Sequence, residues 1–537
     1  MINYSTPGVY TEEVPVFPPS IVATSTAIPA FIGYTEKAGN GNKKLEFTAT
    51  RISTLLDFQE NFGGPGSTAF SVKVSDQDMI EDVTVQAPDH SLYYAVDHYF
   101  KNGGGDCYIV SIGDFTQTAD KDAFIQGLEA LESEDEPTLI VLGEATSLDD
   151  TDYYDVCKAA LSQCGNLKDR FCIIDVKRDN DVEKFRTEIG DENLKYGAAY
   201  TPFLQTNTNY FYDDQDVSIT GSTRIVIMEI VVEEGLRITR RSDNLVPKLK
   251  INKTPAENAP FSISQGILTI SGFEDNTTAS EIHAAWLNFS GNKEGFEMSV
   301  VDSEVVIGPQ PQKELTPSEN PNFTLNDIRG TELYSRVASE IARQRIVLPP
   351  GAAVAGVYAK TDRERGIWKA PANVSLNAVL GPVVRISDAE QDSLNVNDFG
   401  KSINAIRSFT GKGTLVWGAR TLDGNSNEWR YIPVRRLFNM VEESIKKATQ
   451  FAVFESNDAV TWLKVKAMIQ SFLYGIWQQG GLAGSTEEQA YFVNVGLGKT
   501  MTQQDILEGK MIFEIGLAAT RPAEFIILKF SHKLQES

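Results

Sequence analysis

Residues 107–112 read CYIVSI, residues 139–142 read LIVL and residues 171–176 read FCIIDV. Helical patterns separate these three apolar runs, at Phe124–Leu131 and at Tyr153–Leu161. Short continuous apolar runs that alternate with helices are typical of strands in a sheet covered on both faces. This part of the chain therefore predicts an α/β domain.

The chain changes character on the carboxyl side of these runs. Short strand patterns such as Phe261–Ile263 and Ile267–Ile270 are joined by Gly, Asn and Asp turns, and a proline-rich loop follows at 308–321. Mixed structure then returns, with a predicted strand at Val354–Tyr358 and a long helix carrying the apolar stripe Trp462–Ile476. The sequence thus predicts a mostly β insertion within a mixed α/β chain.

The predicted class is α/β, with a discontinuous mixed α/β core built from N- and C-terminal parts, a mostly β outer insertion and extended terminal arms. Its 537 residues are enough for several domains. The predicted boundaries are an N-terminal arm at 1–29, an α/β region at 30–204, the β insertion at 205–330, the C-terminal part of the core at 331–520, and a C-terminal arm at 521–537.

Both ends of the chain carry extended apolar segments. Five prolines in the first 29 residues exclude a helix or a central strand, and apolar side chains stand between them. Such an arm serves equally well as a tether on its own domain or as an assembly device on a neighbour. At the other end, Phe525–Phe530 places apolar side chains on both strand faces, so it needs a partner sheet. Strand addition between subunits uses segments of this kind.

Charge and composition exclude several functions. The chain has 73 acidic and 49 basic residues, a net charge of −24, which argues against binding to duplex nucleic acid or to an anionic membrane. No window approaches the ~18 apolar residues of a membrane span. No Lys or Arg precedes Lys37, unlike a secretory signal peptide. The acidic run Glu129–Asp155 has ten acids and no base, which favours a solvated face over a cation site.

The sequence predicts no catalytic residue, no metal site and no cofactor. The four histidines lack metal-ligand spacing, and the four cysteines lack CxxC spacing. Gly498-Lys499-Thr500 resembles the end of a phosphate-binding loop, but Val493 replaces the glycine that such a loop requires.

A charged cluster follows Val354–Tyr358. Thr361–Glu364 has capping-box spacing and predicts a single helical turn that Gly366 ends. The alternating charges predict a salt-bridged contact surface rather than an acid/base site. Its predicted members are Arg363, Glu364, Arg365, Trp368 and Lys369.

Longer motifs carry a family resemblance. TPGVYTEE at residues 6–13 and AIPAFIG at 27–33 resemble the start of contractile tail sheath proteins. The C-terminal motifs are similar to the same family in the same order: AGVYAKTDRERG (355–366), WKAPAN (368–373), VWGARTL (416–422), TQFAVFE (449–455), TMTQQDI (500–506) and RPAEF (521–525). The matches cover residues 1 to about 110 and 345–537, whereas the insertion matches no pattern of that family.

The resemblance implies a structural subunit, without catalysis, of a helical sheath around an inner tube that contracts to drive the tube through an envelope. The implied partners are further copies of the chain, the inner tube protein, and baseplate and terminal cap proteins, without nucleic acid or a membrane span. Assembly is expected in the bacterial cytoplasm, as part of a phage tail, bacteriocin or injection particle. The implied arm contacts are Pro7, Gly8, Val9, Tyr10, Thr11, Val14 and Val16, and Glu524, Phe525, Ile526, Ile527, Leu528 and Phe530.

Two other functions remain open from the residues alone. A non-contractile shell or adhesin-like structural protein would use the β insertion to bind a ligand. A hydrolase would use carboxylates between Glu129 and Asp155. An activity that persists in the monomer would favour the hydrolase, and sleeves of two lengths and diameters would exclude the non-contractile shell.

Overall fold

The computed structural model describes residues 21–525 and 527, apart from 42, 76, 87–89, 222–226, 242–245, 253–259, 275, 318–322, 397 and 399. The predicted N-terminal contacts Pro7–Val16 lie outside the described residues, as do Ile526, Leu528 and Phe530 of the C-terminal arm. No helix among the described residues is long and apolar enough to cross a membrane.

The helices begin and end as follows: α1 (Leu55–Phe62), α2 (Leu92–Lys101), α3 (Lys121–Glu132), α4 (Asp150–Leu167), α5 (Val182–Glu188), α6 (Ala279–Leu287), α7 (Glu332–Ile341), α8 (Gly351–Arg365), α9 (Asp388–Asn395), α10 (Ile432–Ala448), α11 (Ala459–Gln478), α12 (Glu487–Ala490) and α13 (Gln503–Leu507).

The strands are β1 (Pro29–Thr35), β2 (Gly39–Asn40), β3 (Lys43–Lys44), β4 (Thr50–Ile52), β5 (Phe70–Val74), β6 (Ile80–Val85), β7 (Cys107–Asp114), β8 (Leu139–Val141), β9 (Phe171–Asp175), β10 (Gly197–Thr201), β11 (Leu204–Thr206), β12 (Val217–Thr220), β13 (Ile227–Val232), β14 (Leu236–Arg241), β15 (Lys248–Ile251), β16 (Phe261–Ser264), β17 (Ile267–Ile270), β18 (Phe296–Val300), β19 (Gln310–Glu314), β20 (Thr316–Pro317), β21 (Phe323–Thr324), β22 (Val347–Leu348), β23 (Val374–Ser375), β24 (Val379–Pro382), β25 (Ile403–Phe409), β26 (Gly413–Trp417), β27 (Tyr491–Asn494) and β28 (Glu514–Leu517).

The chain divides into two compact units. Unit 1 contains Met1–Pro65, Asp89–Thr208 and Ile346–Ser537, and unit 2 contains Gly66–Pro88 and Asn209–Arg345. The units differ from the predicted boundaries because β5, far upstream in the chain, pairs in parallel with β12 and so joins the insertion.

Unit 1 is built on a nine-stranded sheet in the order β23-β26-β25-β10-β9-β8-β1-β7-β4. The six strands from β25 to β7 pair in parallel, and antiparallel strands flank them. Buried residues of α3 and α4 pack on one face of this sheet, whereas those of α2 and α8 pack on the other. The three predicted strands at 107–176 lie in the sheet, so the predicted α/β class is confirmed.

The segment Val354–Tyr358 is not a strand, as predicted, but the middle of helix α8. Small residues let this helix pack closely: a Cβ added at Gly356 would lie 2.7 Å from the Tyr99 carbonyl oxygen of α2. Most helices are identified in a sequence by a polar face that alternates with an apolar one. Residues 351–359 of α8 are all buried, so this part of the helix has no polar face. Residues 361–364 are helical, but they belong to the end of α8 and do not form a separate single turn. The helix ends at Arg365 with Gly366 as its C-cap, so the predicted stop at Gly366 is confirmed.

The C-terminal part of unit 1 contains a separate hydrophobic cluster. Helices α10 and α11 pack there with the β27–β28 sheet, and the Asp458 side chain caps the start of α11. Ile21, the first described residue, also belongs to this cluster.

Unit 2 contains two hydrophobic clusters. In one, α7 covers strands β5 and β12 with Leu333, Val337 and Ile341. In the other, the sheets β18-β14-β13-β20 and β16-β17-β15-β19 enclose a core to which α6 contributes Ile282 and Trp286. The predicted β-rich character of the insertion agrees with these strands.

Asp175 at the end of β9 joins the sheet to α8. Its Oδ1 accepts a hydrogen bond from the Gly351 backbone N–H at 2.7 Å, at the start of α8, and its Oδ2 is buried without a hydrogen-bond partner among the described residues. Burial raises the pKa of Asp175 from 3.8 to about 8, so the protonated form is favoured in the folded state.

We predict that Asp175→Asn flattens the pH dependence of stability. The unfolded chain ionises Asp175 near pH 4 but the folded chain only near pH 8, so the protonated group's contribution is lost as pH rises between these values. The variant should therefore gain about 5 kcal/mol over wild type at pH 8, because folding raises the pKa by about four, and less than about 1 kcal/mol at pH 4. Chemical denaturation across this range measures the difference, and parallel stability curves would contradict it.

Candidate assembly interface

The root of the N-terminal arm, which contacts the body at Thr24 and Thr26, lies on α10. The Thr24 backbone N–H donates a hydrogen bond to Ser444 Oγ at 3.0 Å, and Arg436 Nη2 donates to the Thr26 carbonyl oxygen at 2.7 Å. Val22, between Ile21 and these contacts, is 78% exposed. The arm therefore leaves a defined place on the body, although the predicted arm contacts themselves are not described.

Arg436 connects this root to the interior. Its guanidinium pairs with Asp362 of α8 at 3.1 and 2.5 Å, and the side chains of this pair are only 2% and 6% exposed. It also lies 4.6 Å from the centroid of the Tyr358 ring, and the Tyr358 hydroxyl is 2.7 Å from that of Tyr200 in the sheet. A chain of buried polar contacts thus runs from the arm root to β10.

The root of the C-terminal arm is held at Glu524. Arg420 Nε and Nη2 donate to the two carboxylate oxygens at 2.9 and 2.6 Å, and the Tyr431 hydroxyl donates to Oε2 at 3.2 Å. The hydrogen bonds to Glu524 raise the pKa of Arg420. Burial, followed by the Glu524 charge, raises the pKa of Tyr431.

The described residues beyond this contact are exposed. Phe525 is 71% and Ile527 79% exposed, and neither forms a strand. The strand predicted at 525–530 is therefore not formed at its described positions. Its apolar pattern has no partner sheet among the described residues of its own chain.

The β27–β28 sheet is open to further strands. Within the described part of the chain the sheet has only these two antiparallel strands, and the bridge between Leu482 and Ala519 lies beyond the end of β28. Over Tyr491–Asn494 and Glu514–Leu517 each strand therefore has an outer edge without a ladder. Beside it lies a groove of about 930 Å³. The groove is lined by α10, α11 and β28, with apolar side chains that include Val441, Ile445, Val465, Ile469, Phe513, Ile515 and Leu517.

The predicted charged contact surface is divided by the structure. Arg363 donates to the Gly103 carbonyl oxygen at 3.3 Å and so joins the end of α8 to the turn after α2. Glu364 and Arg365 are exposed, whereas Trp368 and Lys369 are half-buried beyond the end of α8. Asp362, the neighbour of Arg363, makes the buried pair with Arg436.

No cluster suited to metal binding occurs among the described residues. The acidic run Glu129–Asp155 is only partly a solvated face, because Glu144 is buried beside His90, with Oε1 3.3 Å from His90 Nδ1. Oε1 also accepts from the Tyr34 backbone N–H, and burial raises the pKa of Glu144. No signal in the sequence distinguishes Glu144, which is buried, from the exposed acidic residues near it.

The described site combines two held arm roots, an exposed apolar arm and an open sheet edge, which define a subunit built to join others. Residues 425–533 match the family model of the phage tail sheath C-terminal domain. The chain is 30% identical over 138 residues to the tail sheath protein of Vibrio phage KVP40, and 28% identical over 138 residues to that of Enterobacteria phage T4. Each alignment covers 25% of this chain and 20% of the relative, so the chain spans about a fifth of the length of these curated relatives.

Two solved structures match almost the whole chain. The helical sheath of the anti-feeding prophage in the contracted state has 28% identity and a TM-score of 0.57, over 99% of this chain and 100% of that chain. The PVC sheath complex of an extracellular contractile injection system, also contracted, has 28% identity and a TM-score of 0.55, over 99% of both chains. The chain is thus similar over almost its whole length to contractile sheath proteins, and these findings support the role of a structural sheath subunit.

We predict that Arg436→Met destabilises the subunit by about 3–5 kcal/mol, because Asp362 is left buried without its partner. Urea denaturation measures the loss. Arg365→Met, an exposed position in the same turn of α8 as Asp362, should change stability by less than about 0.5 kcal/mol. Equal effects of the two substitutions would show that the buried pair has no special role.

Proposed function

We propose that this chain polymerises helically around an inner tube, and that contraction of the resulting sheath drives the tube through a target envelope. The carrying observation is the combination of an open β27–β28 edge with a C-terminal arm whose described apolar residues, Phe525 and Ile527, are exposed. The terminal arms of neighbouring copies add strands to this sheet. Baseplate and terminal cap proteins then bind the ends of the sheath.

Strand addition requires an edge that offers backbone groups and pockets that receive side chains. The β27–β28 sheet has the edge, and the groove beside β28 has the apolar lining. A two-stranded sheet is only marginally stable alone, so further strands also stabilise the receiving subunit. The apolar residues at 525–530 match this groove in chemistry.

Directional contacts are needed because the subunits repel one another. Each copy carries a net charge of −24, and this repulsion opposes close packing. Each exchanged hydrogen bond contributes about 0.5–1.5 kcal/mol, and many bonds per subunit are repeated along the polymer. A head-to-tail contact that does not close propagates into a helix.

We predict that the double substitution Phe525→Ser and Ile527→Ser abolishes sheath formation and leaves the monomer's melting temperature unchanged. Both side chains are exposed in the subunit, so their loss affects only contacts with another copy. Negative-stain electron microscopy and thermal denaturation measure the two effects. Leu287→Ser, which removes a 65% exposed apolar side chain from α6, is the matched control and should assemble normally. Normal sheaths from the double variant would refute strand exchange at these residues.

The inner tube is proposed to contact α11. Among the described helices of eight or more residues, α11 is the one without an acidic residue, and it contains Lys464 and Lys466. Val460, Leu463 and Tyr474 on this helix are 76%, 65% and 45% exposed. A basic and apolar face on an acidic subunit fits a partner with an acidic or apolar surface.

We predict that Lys464→Glu with Lys466→Glu weakens tube binding and spares self-assembly. On co-expression with the tube protein, empty sheaths should replace tube-filled ones in electron micrographs, because the reversed charges repel an acidic partner. Lys412→Glu, at the exposed turn between β25 and β26, is the control for a general charge effect. Tube-filled particles at the wild-type frequency would exclude α11 as the contact.

A sheath of this kind requires no catalysis, and the similarity to sheath proteins supports a structural rather than an enzymatic role. The free energy of contraction is stored during assembly, as in other kinetically trapped states. We propose assembly in the bacterial cytoplasm, followed by work within a phage tail or an injection particle.

A further inference from the structure

Arg420 is fixed in position by its own chain and binds one carboxylate, that of Glu524. The residue is 4% exposed, and its third guanidinium nitrogen, Nη1, donates to the Asn395 carbonyl oxygen at 2.9 Å. Its backbone N–H donates to Asn404 Oδ1 at 2.8 Å, and Asn404 Nδ2 donates in turn to the Ala199 carbonyl oxygen of β10 at 3.1 Å. The side chain is therefore oriented by the sheet before it meets Glu524.

Glu524 forms a bidentate ion pair with Arg420. Both carboxylate oxygens are used, and only 21% of the Glu524 side chain is exposed. A paired fork of this geometry adds directional specificity as well as energy, and removal of one partner leaves a nearly buried charge unpaired. Phe525, immediately beyond this contact, is 71% exposed.

The next contact upstream is at Thr520. Its backbone N–H donates to the Gly481 carbonyl oxygen at 3.2 Å, and its Oγ1 donates to the Gly480 carbonyl oxygen at 3.1 Å. Loss of the Glu524 contact would therefore free residues 521–524 as well. At about 3.3 Å per extended residue, this adds roughly 13 Å of slack to the arm.

The two arm roots also meet one short segment. Arg420 holds the C-terminal root and Arg436 the N-terminal root. Between them, Arg420 and Tyr431 form an antiparallel bridge, and the Ile432 backbone N–H donates to the Ala419 carbonyl oxygen at 3.0 Å. Residues 419–436 thus connect the contact that holds one arm with the contact that holds the other.

We propose that the Arg420–Glu524 contact, the arm clamp, determines where the C-terminal arm leaves the subunit and how much slack it has, and thereby determines the spacing between joined subunits. This inference rests on the proposed exchange of arms. Glu524 acts as a positioning residue, whereas the residues beyond it bind the neighbouring copy.

The first test uses the full-length monomer. Nitroxide labels on Ile527→Cys and Lys412→Cys report the distance between the arm and the body, because both positions are exposed. The four native cysteines are buried, and burial raises the pKa of Cys157 and Cys164 to about 12, so they react poorly. Glu524→Ala should broaden the distance distribution, and Arg521→Ala, an exposed charge in the same segment, should leave it narrow. An unchanged distribution in Glu524→Ala would overturn the clamp.

The second test measures the polymer by cryo-electron microscopy. Sheaths of Glu524→Ala should be short or irregular in axial rise, and should break into fragments on contraction. Glu524→Asp keeps the charge and should recover part of the regularity. Wild-type spacing and integrity in Glu524→Ala sheaths, together with a broadened monomer distribution, would show that the clamp does not determine spacing.

These outcomes separate the clamp from the proposed function. If the wild-type chain forms no sheath under any condition, the proposed function fails. The spin-label experiment still decides whether the clamp holds the arm. The melting temperature of each variant monomer excludes unfolding as the cause, and Arg420→Lys, which keeps the charge but loses the fork, should broaden the distribution as Glu524→Ala does.

Discussion

The parallel sheet of unit 1 requires cover on both faces, and the rest of that unit depends on how this cover is supplied. Helices α3 and α4 come from the sequence between the strands and cover one face. The other face needs α8, which lies after the whole insertion. The N- and C-terminal parts of the chain must therefore fold together. Asp175, whose carboxyl group accepts the Gly351 N–H at the start of α8, lies at this junction.

This arrangement brings the two arm roots to one segment of the body. Helix α8 carries Asp362, which pairs with Arg436 of α10, and Arg436 holds the backbone at Thr26. The segment that leads into α10 carries Arg420, which holds Glu524. The contacts that complete the core thus also determine where each arm begins.

The sequence predicted these features unevenly. Strands β7, β8 and β9 follow directly from continuous apolar runs, and α11 follows from its stripe of large apolar side chains. Residues Val354–Tyr358 of α8 were predicted as a strand because this buried stretch has no polar face. Asp362 was grouped with exposed neighbours, although it is buried against Arg436. In both cases the structure depends on burial against distant residues, which the local sequence pattern does not show.

The sequence by itself determined the α/β class, the β-rich insertion, the acidic charge and the apolar character of the C-terminal arm, because each depends on composition or on the period of nearby side chains. Ordered motifs also carried the resemblance to sheath proteins. Only the tertiary structure decided that Gly66–Pro88 joins the insertion, that Arg436 and Asp362 form a buried pair, and that Arg420 receives Glu524. These contacts join residues tens to hundreds of positions apart, and no local periodicity specifies which distant charge or strand becomes the partner.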